Sequence, residues 1–78
     1  MKILVCTIVR NAELTIPRWW ENVTQMTALY PEIEFSLSVY ENDSIDNSKN
    51  LLTERMKDSS AYFSETFLGM EDINTQFY

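Results

Sequence analysis

Two polar stretches hold the residues that could do chemistry. "YENDSIDNS" carries Glu41, Asn42, Asp43, Ser44 and Asp46, and "TIVRNAE" carries Arg10 and Asn11. A carboxylate such as Glu41 accepts hydrogen bonds from a base N–H or a ribose hydroxyl. The Arg10 guanidinium can offer its charge to a diphosphate. The helix expected after Asp46 adds the positive end of its dipole. Together the set suits a nucleotide better than a bare sugar. Asp, Asn and Ser are also the residues that build turns and cap helices through local hydrogen bonds. Alone, the second stretch therefore reads as a helix-capping turn. It reads as a site only if the fold brings "TIVRNAE" to the same crevice.

Composition removes several functions. The chain of 78 residues is long enough for one small domain, and 45% of it is apolar, so disorder is excluded. Six basic residues stand against twelve acidic ones, a net charge of −6, which argues against nucleic acid and against an anionic membrane surface. With no histidine, Ser-His-Asp triads and most transition-metal sites are ruled out. The one cysteine, Cys6, forms no internal disulfide, and its apolar neighbours read it as a small core residue. The only glycine is Gly69, so neither a P-loop nor a glycine-rich dinucleotide fingerprint is present. The apolar start is too short for a signal peptide and no run reaches membrane-span length, so a cytoplasmic protein without a membrane span is expected.

The elements that must position the two stretches follow from periodicity. "ILVCTIV", residues 3–9, is an unbroken apolar run and fits a strand buried on both faces of a parallel sheet. Thr15 and Pro17 open a helix whose face is Ile16, Trp19, Trp20, Val23, Met26 and Tyr30, and Pro31 stops it. The tryptophans are read as core. "FSLSVYE", residues 35–41, alternates; this suits a half-exposed strand or a buried one under a closely packed helix. Asp46, Asn47 or Ser48 caps a second helix with Leu51, Leu52 and Met56 inward. "AYFSE", residues 61–65, is the third strand candidate, and "TFLGMEDINTQFY" shows no period. The expected fold is α/β, a β-α-β-α-β unit with a parallel sheet over residues 1–78. Ligands of such sheets bind beyond the carboxyl ends of the strands, where both polar stretches fall.

"ILVCTIVRNAE" followed by "FSLSVYENDSIDNSKNLL" resembles the start of a GT-A type glycosyltransferase, with a Rossmann-like nucleotide-binding half. In the family-2 enzymes the turn reads D-D-G-S-x-D; here it is Glu41-Asn42-Asp43-Ser44-Ile45-Asp46. The wording "YEN-x-S-x-D" is closer to the fungal capsule-associated mannosyltransferases. The resemblance covers about residues 3–56 and implies a nucleotide-sugar site. Thr7 and Val9 would lie against the nucleotide, Arg10 and Asn11 would line the donor pocket, and Glu41 would take the place of the acid on the base or ribose. Asn42 stands for a second acid and Asp43 for the family glycine. Ser44 and Asp46 would shape the turn. The implied reaction is transfer of a hexose such as mannose from a nucleotide diphosphate sugar to an acceptor hydroxyl on a carbohydrate.

The family's later D-x-D motif, which holds Mn or Mg on the diphosphate in the complete enzyme, has no counterpart here; Glu71-Asp72 is adjacent but of the wrong pattern. A family domain needs roughly 200 residues, so the expectation is an N-terminal fragment that binds donor and contributes no catalytic residue. The competing expectation is a non-catalytic α/β binding or regulatory module. It would form a homo-oligomer through exposed aromatic surface beyond residue 60, because a three-strand sheet leaves apolar surface bare.

Overall fold

The computed structural model describes residues 1–71. Strand β1 (Lys2–Val9) leads to helix α1 (Ile16–Leu29), strand β2 (Glu34–Asn42), helix α2 (Ser48–Met56), a single 3-10 turn (Ser59–Ala61) and strand β3 (Thr66–Glu71). The strands lie in the order β1-β2-β3 and both pairs are parallel. Val9 is level with Glu41, and Glu41 with Met70. The α/β class and the parallel β-α-β-α-β order are as expected.

One core holds the layers together. Val9 of β1, Phe35, Leu37 and Val39 of β2, Ile16 and Trp20 of α1, Leu52 of α2 and Phe63 are all buried in one cluster. Since both helices share that cluster, both cover the same face of the sheet. Two crossovers of one hand, feeding strands laid down in sequential order, place their helices this way. Trp20 belongs to the core, edge-on to Tyr62 at 6.2 Å and tilted against Phe63 at 6.2 Å. Trp19 is half-buried at the margin of the cluster. Thr15 precedes α1 and Pro17 sits in its first turn. The Thr15 side chain caps no helical N–H; its hydroxyl donates back to the Ala12 carbonyl at 3.1 Å.

Three expectations are corrected. β1 is not buried on both faces: Val5, Thr7 and Val9 face the helices, while Leu4, Cys6 and Ile8 are exposed on the other side. Cys6 is therefore not a core residue. The alternation was hidden because both sides of "ILVCTIV" are apolar. The third strand is not 61–65 but Thr66–Glu71. Residues 62–65 form the turn that feeds it, and Phe63 drops into the core as a plug. Asp72 of the acidic pair and the terminal Phe77-Tyr78 lie outside the described residues.

Along β2 the alternation is complete. Phe35, Leu37, Val39 and Glu41 are buried, and Ser36, Ser38 and Tyr40 point to the uncovered side. Next to them Gly69 lies under two rings. A Cβ there would come within 3.0 Å of Phe67 and 3.1 Å of Tyr40.

Leu52 is fully buried and Leu29 is 74% exposed. Leu52→Ala should lower unfolding free energy by about 2–5 kcal/mol. Leu29→Ala should stay within about 0.5 kcal/mol of the parent. Urea unfolding followed by far-ultraviolet circular dichroism measures both; equal effects would contradict the burial described.

Candidate functional site

The β1–α1 and β2–α2 loops meet at the carboxyl end of the sheet. Their meeting is built from backbone donors that no strand or helix satisfies. The N–H groups of three consecutive residues each find a side chain of the other loop. Asn11 donates to Ser44 Oγ at 2.8 Å, Ala12 to Ser48 Oγ at 2.8 Å, and Glu13 to Asp46 Oδ2 at 3.1 Å. The exchange is reciprocal. Ile45 N–H donates to Asn11 Oδ1 at 2.9 Å, and Asn47 N–H to Glu13 Oε1 at 3.1 Å. These five bonds, part-buried or exposed, join residues 33 to 36 positions apart and so tie the two loops together.

Both loops turn through the left-handed region. Asn11 has φ 48° and Asp43 has φ 57°. Asn and Asp tolerate this region better than other non-glycine residues. Each lies two residues beyond an inward-facing strand residue at the same level, Val9 in β1 and Glu41 in β2.

Asp46 is the local organiser of the second loop. Its Oδ1 accepts from the Ser48 N–H at 2.9 Å and from the Ser48 hydroxyl at 2.5 Å. It thereby supplies the cap of α2 that Asn47, whose own side chain accepts from Asn50 at 2.8 Å, does not. The Ser48 hydroxyl, and after it the Ser48 and Glu13 N–H groups, hold the Asp46 carboxyl below its ordinary value of 3.8, against an opposing push from desolvation.

Glu41 is the unusual residue. Its position on β2 turns the side chain to the helix layer, and it is 0% exposed. Oε1 accepts from the Ser44 N–H at 2.6 Å, while Oε2 is out of solvent and has no hydrogen-bond partner. Asp43 is also buried, with Oδ2 unpartnered. Buried polar atoms in folded proteins are nearly always hydrogen-bonded, so two in one turn are conspicuous. Asn42, half-buried, ends β2 opposite Glu71.

The other residues read from the sequence separate into two groups. Thr7, Val9 and Arg10 line a hollow of about 200 Å³ with Ile8, Trp19 and Ile16, beside the outer edge of β1. Arg10 is exposed and makes no hydrogen bond or ion pair among the described residues. Asn11 instead borders a wider depression of about 580 Å³ with Ala12, Glu13, Thr15 and Asp46. Glu41 and Asp43 lie beneath the turn. Glu13 was not singled out in the sequence, and Ser48 was named there only as a candidate cap of the second helix. The alternation Ser44-Asp46-Ser48 was the available signal, because every second side chain serves as an acceptor for the facing loop.

Among the described residues no three acidic or cysteine side chains gather into a set able to hold a metal ion. No helix among them is long and apolar enough to cross a membrane. No family model matches the chain, and neither a curated protein nor a solved structure similar to it was found.

A carboxyl held below its unfolded value contributes stability above that value and loses it as pH falls through the folded one. Asp46→Asn should therefore be less stable than the parent near neutrality, and the gap should close below about pH 4. Urea midpoints measured at neutral and acid pH check this; a gap that persists unchanged in acid would show that the Asp46 charge contributes nothing.

Proposed function

We propose that the carboxyl-end crevice binds the nucleotide part of a nucleotide diphosphate sugar, as the donor half of a GT-A type glycosyltransferase. The observation that carries the reading is the turn at Glu41–Asp43. Asp43 occupies the place of the family glycine, and its φ of 57° is the backbone conformation that explains a glycine there. The left-handed turn at Asp43 is thus the feature that supports reading this segment as the D-D-G-S-x-D turn. The buried acid two residues earlier, Glu41, keeps one carboxylate oxygen without a partner.

The roles follow from chemistry. A carboxylate oxygen accepts, so Glu41 Oε2, which is out of solvent, would take an N–H of the base or a hydroxyl of the ribose once the turn over it opens. Ser44 holds the other oxygen, which fixes the orientation of the carboxylate before a ligand arrives. Arg10, without a partner among the described residues, would meet the diphosphate. Thr7 and Val9 would form the wall under the nucleotide, with Asn11 and Asn42 at its rim. Asn11 is already committed through its N–H and Oδ1, which leaves its amide NH2 to offer. These residues bind and orient; the attack of an acceptor hydroxyl on the anomeric carbon needs groups that the described residues do not include. Mn or Mg would stabilise the departing diphosphate in a complete enzyme. The described residues do not fit such a metal, so none of them is given that role.

Glu41→Gln separates binding from folding, because the amide oxygen can still accept from Ser44 while its NH2 presents donors where a ligand donor should sit. Glu41→Ala would instead also free the Ser44 N–H. The Gln variant should lose more than tenfold in nucleoside diphosphate affinity, about 1.4 kcal/mol, with a thermal midpoint close to the parent's. Titration calorimetry with uridine and guanosine diphosphates reads the effect; unchanged affinity would remove Glu41 from the site.

A further inference from the structure

Among the described residues the sheet is covered on one side only. Its other face presents Leu4 and Ile8 of β1, 60% and 77% exposed, and Phe67 of β3, 62% exposed. Between them lie the small residues Cys6, Ser36, Ser38 and Gly69. Parallel sheets are ordinarily covered on both faces, because apolar side chains on a bare one stay in water. We infer that this face is the contact between two copies of the chain, stacked sheet against sheet around a two-fold axis.

Shape favours a second copy. A two-fold contact uses the same patch twice, so that patch must carry both a projection and the hollow that receives it. This face carries both. Phe67 projects, and beside it lies a hollow of about 120 Å³ lined by Leu4, Ser36, Ser38 and the flank of Phe67 itself. Ser36 Oγ is already paired with Ser64 Oγ at 3.1 Å, so an apolar ring seated there does not strand that hydroxyl. Charge permits it as well. Glu65 is the only charged residue lining the hollow, and Lys2 at the far end of β1 is paired with Glu34 at 3.6 Å.

Area sets the strength. Three strands spaced about 4.8 Å apart over some six residues of about 3.3 Å make a face of roughly 300 Å². A stable interface needs about 800 Å² from each partner. The dimer is therefore weak and reversible. Each copy carries a net charge of −6, so added salt should tighten it by screening the repulsion between copies.

The test is sedimentation equilibrium of the 78-residue chain from about 10 μM to 1 mM at low and high salt. The expected result is a monomer–dimer equilibrium that strengthens with salt. Phe67→Glu and Ile8→Lys should each weaken it at least tenfold, whereas Leu29→Glu, on the helix layer, should leave it unchanged. Circular dichroism confirms that each variant is folded; both face positions are largely exposed, and either variant suffices if the other unfolds. A monomer at every concentration would overturn the inference and point to a different occupant. A dimer insensitive to Phe67 and Ile8 would also overturn it. So would growth past the dimer, which is the signature of pairing along the β1 edge. Phe67 lies away from the proposed nucleotide crevice, whereas Ile8 also lines the hollow of Thr7, Val9 and Arg10, so Phe67→Glu is the variant on which the two readings fail separately.

Discussion

Three consecutive backbone N–H groups, those of Asn11, Ala12 and Glu13, set the terms for the rest of the molecule. The chain leaves β1 and has not yet entered α1, so these donors have no partner in either element. Side chains of the β2–α2 loop take all three. The two loops are thereby locked, and with them the carboxyl ends of β1 and β2. The residues best suited to hydrogen-bond a ligand, Ser44, Asp46, Ser48 and Asn11, are largely spent on this lock. What is left over among the described residues is narrower: the buried, unpartnered oxygens of Glu41 and Asp43, and the exposed charge of Arg10.

The second constraint is that both crossovers lie on one side. It concentrates the core between Val39, Leu52, Ile16 and Trp20, and leaves an apolar face without cover among the described residues. The crevice and the bare face are therefore independent features of one topology. One arises at the ends of the strands, where backbone groups run out of partners. The other arises on their outer side, where apolar side chains do.

The convergence of the two polar stretches was legible in the sequence, because the β-α-β order with helix-length connections forces parallel neighbours whose loops share an end. The inward set of β2 was legible too, from the alternation of Phe35, Leu37 and Val39 with serines. β1 was not, since Leu4 and Ile8 are as apolar as Val5 and Val9 and no period of two survives. β3 was displaced for a related reason: Tyr62 and Phe63 look like strand residues, yet Phe63 is used as a plug, while the true strand contains Gly69 and apolar residues on both sides. The cross-loop bonds could not be read at all. Which side chain takes which N–H depends on the left-handed turns at Asn11 and Asp43, and neither position carries the glycine that would have announced them.

The central claim is that the locked loops form a nucleotide crevice. Amide chemical shifts of the chain, recorded while a nucleoside diphosphate is added, test it most directly. The account predicts saturable changes confined to the carboxyl ends of β1 and β2 and the loops that follow, at Val9 to Glu13 and Glu41 to Ser48, with the outer face at Leu4 and Phe67 unmoved. Shifts scattered over the surface, or none at millimolar nucleotide, would show that the two loops lock only each other.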